Sequence, residues 1–210
     1  RELELAPRSV ADFYAELMDK LQELGIDIEI YPRPNEMEPA IPFAENETNR
    51  HYDAVAVNNF WKAMVRIDGV FQKFRSGFIG KCSPVHLFWG AFDLAVTRFS
   101  GRPAPPHPGG MPNMPLEVMQ EAYSQEVSSA GFWPGSKDFP QPAFYSYCYP
   151  SPDSFSLQPV RPAEAFYSDA MGEYFLPYSA VQQAEEPEHM LLEFLQSTYE
   201  AAARTGNWDR

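Results

Sequence analysis

Long apolar runs, cysteine and positive charge are all scarce in this chain of 210 residues, and each shortage excludes a class of protein. No apolar stretch approaches the ~18 residues of a membrane-spanning helix, and no signal peptide is recognisable. The two cysteines, Cys82 and Cys148, are too few for a disulfide framework, so we expect reduced, buried thiols. These features predict a cytoplasmic protein without a membrane partner.

Basic residues are outnumbered by acidic ones, 16 against 29, which gives a formal net charge of −13. Such a surface repels phosphate backbones and anionic lipid. No run of positive charge offsets it, so nucleic acid is not an expected partner. The composition leaves homo-oligomerisation open.

The signature motifs of the common enzyme classes are absent as well. The chain has no glycine-rich phosphate loop, no Gly-x-Ser-x-Gly, no His-Glu-x-x-His and no Cys-x-x-Cys. We therefore predict no cofactor and no metal site. A metal centre built from His86, His107 and either Asp93 or Glu126 would have a ligand spacing that matches no standard motif.

Aromatic residues, at 15%, and proline, with 21 residues against 12 glycines, are what the chain has in excess. Proline cannot donate to a helix or sheet ladder, so long loops are expected, notably at 32–52, 101–115 and 150–165. Aromatic side chains bury large areas and also line small-molecule pockets. At this length we expect a single domain over residues 1–210.

Hydrophobic periodicity predicts about three helices: one that begins after Ser9, one at 53–75 and one at 187–204. Period-two alternation predicts strands, which are expected at 2–5, 26–30, 84–99, 126–133, 143–149 and 173–176. The first two strands flank the first helix and would be parallel if they are neighbours. Without a regular βαβα rhythm, the chain is expected to be α+β with a mixed or antiparallel sheet and long proline-rich loops.

Three polar residues stand among apolar ones in the segment 84–99, where each needs a partner. In a straight strand His86 and Arg98 share one face and Asp93 takes the other. A one-residue bulge at Gly90 would instead place His86 with Asp93. Either an Asp–Arg or an Asp–His pair would be compatible with a purely structural role, because a buried charge persists only with a partner.

The next strand and a stiff Pro/Gly loop extend this set into a candidate site. If the strand at 126–133 lies beside the segment 91–99, one concave face carries histidine, aspartate or glutamate, arginine and serine among aromatic rings. Such a mixture suits a small polar ligand or general acid–base chemistry. The predicted catalytic residues are His86, Asp93 and Glu126, and the predicted ligand-binding residues are Arg98, His107, Ser128 and Trp133.

Three longer motifs are recognisable: SPVHLFWGAFDLAVTRFSGRP at 83–103, PHPGG at 106–110 and EVSSAGFWPG at 126–135. With these motifs the chain resembles a bacterial family known only as domain of unknown function 5996. Members of that family look longer at the N-terminus, with an added strand-rich region. The resemblance therefore implies that this chain is the C-terminal part of a longer protein, and it brings no activity, substrate or cofactor.

The function predicted from the residues is a cytoplasmic small-molecule-binding or hydrolase-like protein with its site in the aromatic-rich sheet. The alternative is a non-catalytic interaction or structural module, in which the proline-rich segments 101–115 and 150–165 dock a partner.

Overall fold

The computed structural model describes residues 1–137 and 139–209. They form two compact units, residues 1–63 with 110–114, and residues 64–109 with 115–137 and 139–209. Together the described residues contain five α-helices and one sheet of six strands. The α+β class is confirmed and the sheet is antiparallel, whereas the expected count of about three helices was wrong.

The first unit is built around helix α1, Val10–Glu23. Ser9 is its N-cap, as predicted, and its hydroxyl accepts a hydrogen bond of 3.0 Å from the Asp12 backbone N–H. The buried Asn46 supports the same end of the helix, because its carbonyl accepts from the Ala11 N–H at 3.1 Å. A second helix, α2, Ala54–Ser76, begins in this unit and ends in the second.

The strands predicted at 2–5 and 26–30 are not formed. Their alternation has the period of a strand, but in the described chain neither segment joins a ladder, and Ile26, Ile28 and Ile30 are exposed. A strand needs a hydrogen-bonded neighbour as well as a pattern. In the predicted strand–helix–strand unit the helix is therefore confirmed and the two strands were wrong.

The sheet lies in the second unit, and every neighbouring pair of its strands is antiparallel. In spatial order the strands are β1 (His86–Phe88), β2 (Asp93–Pro103), β3 (Gln125–Trp133), β4 (Ala143–Tyr149), β6 (Glu173–Pro177) and β5 (Phe166–Ser168). The predicted strands at 126–133, 143–149 and 173–176 are confirmed within a residue or so. The short β5 was not predicted.

Three further helices belong to this unit: α3 (Leu116–Ala122), α4 (Tyr178–Gln183) and α5 (Pro187–Thr205). Proline at the first position of α5 costs no hydrogen bond there. The end of α2 and α5 cover one face of the sheet, where Phe71 meets Phe144 edge-on and Phe194 and Leu195 are fully buried. We call this face the helix face.

Arg98 is the largest fully buried side chain in this unit, and it lies on the helix face. Its guanidinium stacks on Phe74 at 3.5 Å and on Tyr199 at 4.3 Å, and it donates to the Phe74 carbonyl. Burial lowers the pKa of Arg98 to about 10, so it remains a cation at neutral pH. No carboxylate of the described residues pairs with it, and the aromatic rings stabilise the charge instead.

The hairpin formed by β1 and β2 determines on which face of the sheet His86, Asp93 and Arg98 lie. His86 pairs with Ala95 and Phe88 with Asp93, so the chain reverses through residues 89–92 rather than bulging within one strand. Directly paired residues share a face, and alternate residues of one strand do too. His86 therefore lies on the face of Asp93, opposite to Arg98.

Aromatic rings rather than a carboxylate stabilise the Arg98 charge, so different substitutions of Arg98 should change the free energy of unfolding by different amounts. We predict that Arg98→Ala lowers the free energy of unfolding by about 3–5 kcal/mol, since it leaves a cavity. Arg98→Met, which keeps the length and removes the buried charge, should stay within about 1.5 kcal/mol of the parent. Urea unfolding measures both, with the exposed Arg66→Met as the control. Equal losses for Arg98→Met and Arg98→Ala would contradict this account.

Candidate functional site

The face of the sheet opposite to the helices carries a cluster of aromatic and polar side chains, which we call the tyrosine face. Its two central members, Tyr145 and Tyr147, come from β4 and stack on each other with ring centroids 6.1 Å apart. Tyr145 lies across β3 at Gly131, where any Cβ would collide with the phenol ring. The other members are Asp93, Thr97, Ser129, Trp133, Phe175 and Glu173.

Asp93 is the acceptor that fixes Tyr145. Only 8% of Asp93 is exposed, and the Tyr145 hydroxyl donates to its Oδ2. Burial raises the pKa of Asp93, although the hydrogen bond from Tyr145 partly opposes this. Burial, followed by the charge of Asp93, raises the pKa of Tyr145 well above its ordinary value, so this phenol stays protonated as a donor.

Glu173, the first residue of β6, is a second carboxyl on the same face. Burial raises its pKa to about 7, and the charge of Asp93 adds to the effect. In the part of the chain that the structure describes, no hydrogen bond or ion pair reaches its carboxylate. A carboxyl group with a pKa near 7 and no cation beside it can both donate and accept a proton at physiological pH, as catalytic and ligand-binding acids do.

A chain of hydroxyl groups runs along the tyrosine face away from Asp93. Thr97 and Ser129 hydrogen-bond across β2 and β3 at 2.9 Å, and the phenols of Tyr147 and Tyr123 do so at 2.9 Å. Burial raises the pKa of Tyr147 well above its ordinary value, and hydrogen bonding by Ser129 partly opposes this. Tyr123, which follows α3, thereby fixes one end of the face.

Four of the seven predicted site residues lie on or beside the tyrosine face. Asp93 and Trp133 are within it, and Trp133 stacks on Phe139 at 5.7 Å. His86 is exposed at the β1 edge. His107 stacks on Tyr123 at 4.6 Å, and its Nδ1 accepts the Gly109 N–H at 3.0 Å, which leaves the proton of the neutral ring on Nε2.

The other three predicted residues, Arg98, Ser128 and Glu126, lie on the helix face, away from Asp93. Ser128 is buried opposite Arg98 in the β2–β3 ladder. Glu126 pairs with Arg102, whose guanidinium also donates to the Asn207 carbonyl beyond α5 at 3.0 Å. The structure therefore does not bring the seven residues into one site.

Among the described residues, no three His, Cys, Asp or Glu side chains are grouped as metal ligands would be. None of the helices described has the length and apolarity needed to cross a membrane.

Comparison with known proteins places the chain in a family. The model of a family of unknown function, DUF5996, matches residues 1–210. The chain belongs to this family. No curated protein and no solved structure matches it. The family thus supplies no activity, and the chemistry of this DUF5996 member has to be argued from its own side chains.

Sequence reasoning missed Tyr145, Tyr147 and Glu173. A signal for the tyrosines is present, because the run Tyr145-Ser-Tyr-Cys-Tyr149 alternates phenols with small residues and puts all three phenols on one face. Gly131 in an otherwise regular strand is a second signal, since it marks a close approach. Glu173 carries no such mark, because its importance comes from neighbours on other strands.

If Gly131 is needed for the passage of Tyr145, a methyl group there should be costly. We predict that Gly131→Ala lowers the free energy of unfolding by about 1–3 kcal/mol, because the Tyr145 ring and its bond to Asp93 are displaced. Thermal or urea unfolding measures this. The control is Gly69→Ala inside α2, where nothing lies within 4 Å of the added methyl and a gain of up to about 1 kcal/mol is expected. A Gly131→Ala variant with the same free energy of unfolding as the parent would contradict the packing described.

The raised pKa of Glu173 predicts an unusual dependence of stability on pH. The folded state binds the proton more tightly than the unfolded state, so its stability falls as pH rises from about 4.5 through about 7. Glu173→Gln removes this penalty, which is at most about 3 kcal/mol. We therefore expect the variant to be more stable than the parent at about pH 8 and similar to it at about pH 4.

Chemical unfolding at both pH values tests this, with the exposed Glu164→Gln as the matched control. The control should change stability by less than about 0.5 kcal/mol at either pH. A Glu173→Gln variant that is less stable than the parent at the higher pH would contradict the assignment.

Proposed function

We propose that this DUF5996 member binds a small organic molecule on the tyrosine face, and that the carboxyls of Asp93 and Glu173 contact it. The observation that carries the proposal is that both acids lie on one aromatic face without a basic side chain paired to either among the described residues. Folding has partly desolvated these carboxyls without supplying a cation. A ligand with positive charge or hydrogen-bond donors offsets that cost.

The aromatic residues support the same kind of ligand. Tyr145 and Phe175 belong to the buried cluster of this face, and Trp133, Phe139 and Tyr147 pack against it while remaining partly accessible. Ring faces attract organic cations and stack on flat groups. Amines are accordingly the ligand class that we put first.

A chemical step, if the ligand undergoes one, would centre on Glu173. Its pKa near 7 suits a general acid or base, whereas Asp93 is held by Tyr145 as a fixed acceptor. The sequence had predicted His86, Asp93 and Glu126 for catalysis. In the present proposal Glu173 replaces Glu126, which is paired with Arg102 on the helix face, and His86 stays a prediction. The hydrolase-like function and the cytoplasmic location are likewise parts of the proposal.

A panel of small molecules tests ligand class and site together. Thermal shifts with primary and quaternary amines, sugars and carboxylates should rank the amines first, more strongly at about pH 8 than at about pH 6, since Glu173 must ionise to attract a cation. Calorimetry in buffers of different ionisation enthalpy should then show release of about half a proton per amine bound at pH 7.

Glu173→Gln should abolish the proton release and weaken amine binding about tenfold or more, whereas the exposed control Glu164→Gln should leave both unchanged. Carboxylates that bind as well as amines, or no binding by any class, would remove the basis of the proposal.

A second candidate function, a protein-interaction module, is favoured by the β1–β2 hairpin. Phe88, at the end of the short edge strand β1, is 50% exposed, and Trp89, in the turn that follows it, is 79% exposed. This surface differs from the proline-rich segments predicted to dock a partner. If the Trp89→Ser variant binds amines as tightly as the parent, ligand binding does not depend on the surface of this hairpin.

A further inference from the structure

A cleft of about 240 Å³ lies between the start of β3, the end of β4 and the C-terminus of α5. It involves none of the acids of the tyrosine face. Pro150, Pro152 and Trp208 are among the residues that line it. Val127 and Tyr149 border it as well, but their side chains lie on the tyrosine face. The volume is below the ~300–1,000 Å³ of pockets for drug-sized ligands, so it suits a molecule of roughly ten heavy atoms.

Trp208 supplies an unmet hydrogen-bond donor at this cleft. The residue is only 9% exposed, its backbone N–H donates to the Ala203 carbonyl at 2.8 Å, and its ring meets Tyr199 edge-on at 6.0 Å. Within residues 1–137 and 139–209, no acceptor takes the indole Nε1–H. The Nε1 atom is not enclosed, so water or a ligand reaches this donor at the cleft.

Glu126 supplies an acceptor in the same lining. Arg102 donates to its Oε2 twice, from Nε at 2.9 Å and from Nη2 at 2.7 Å. Oε1 receives no hydrogen bond from the described residues. The Arg102 guanidinium is further occupied by backbone carbonyls after α5, so it is Glu126 that presents free hydrogen-bonding capacity to the cleft.

The buried Cys148 also lines the cleft. Burial raises its pKa to about 12, so the thiol is neutral and brings no covalent chemistry.

We propose that this cleft binds a small, uncharged, planar amide. The amide oxygen accepts from the Trp208 indole N–H, the amide nitrogen donates to Glu126 Oε1, and the attached ring lies against Pro150 and Pro152. A carboxylate of the same shape lacks the donor and places a negative charge against Glu126. Selectivity between an amide and its acid is therefore the measurable consequence.

Benzamide and benzoate form the matched pair of probes, and the full chain is the protein to use. The chain has four tryptophans, so a proton–nitrogen correlation spectrum contains four indole signals. Benzamide should shift the Trp208 signal in a saturable way, with a dissociation constant in the millimolar range or tighter. Benzoate should bind at least about tenfold more weakly.

Trp208→Phe identifies the signal and should weaken benzamide about fivefold to tenfold, because it removes the donor. Glu126→Gln should narrow the preference for benzamide over benzoate to less than about threefold, since the like charge is gone. The comparison of the two probes on the parent protein stands even if a variant fails to fold. Equal binding of both probes, or no shift of the Trp208 signal at about 20 mM benzamide, would overturn the proposal.

Discussion

The Tyr145 ring lies over Gly131, and its hydroxyl group donates a hydrogen bond to Asp93. The rest of the tyrosine face depends on this contact. It crosses three strands, so it couples their register to one hydrogen bond. It also holds a carboxyl in an aromatic setting, and the charge of that carboxyl contributes to the raised pKa of Glu173. Packing and electrostatics of the candidate site thus rest on the same contact.

The alternation of β2 divides the polar residues of this segment between two different environments. Arg98 faces the helices and is stabilised by rings, whereas Asp93 faces the other way and is bonded to a phenol. Both structural pairings considered from the sequence, Asp–Arg and Asp–His, assumed that a buried charge takes an opposite charge. In this protein aromatic residues serve both, which is consistent with their high share of the chain.

Much of the fold was predictable because the longer elements carry their own signals. The helices after Ser9 and at Pro187–Thr205, and the strands β3 and β4, follow from periodicity and capping. The segments 2–5 and 26–30 were wrongly predicted as strands, because an alternating pattern does not show whether a neighbouring strand is available for pairing. Asp93 was found as a polar residue in an apolar strand, and Trp133 as an aromatic residue in the strand at 126–133. Glu173 was not found, because its pKa depends on residues far away in sequence.

The most direct test of the account is a carboxyl-carbon NMR titration of Glu173 in the full chain, with the exposed Glu164 as an internal reference. The account predicts a midpoint near 7 for Glu173 that falls in Asp93→Asn, because the neighbouring charge is removed. A midpoint for Glu173 at the ordinary value for glutamate, unchanged by Asp93→Asn, would contradict the claim that the tyrosine face holds an acid poised at neutral pH.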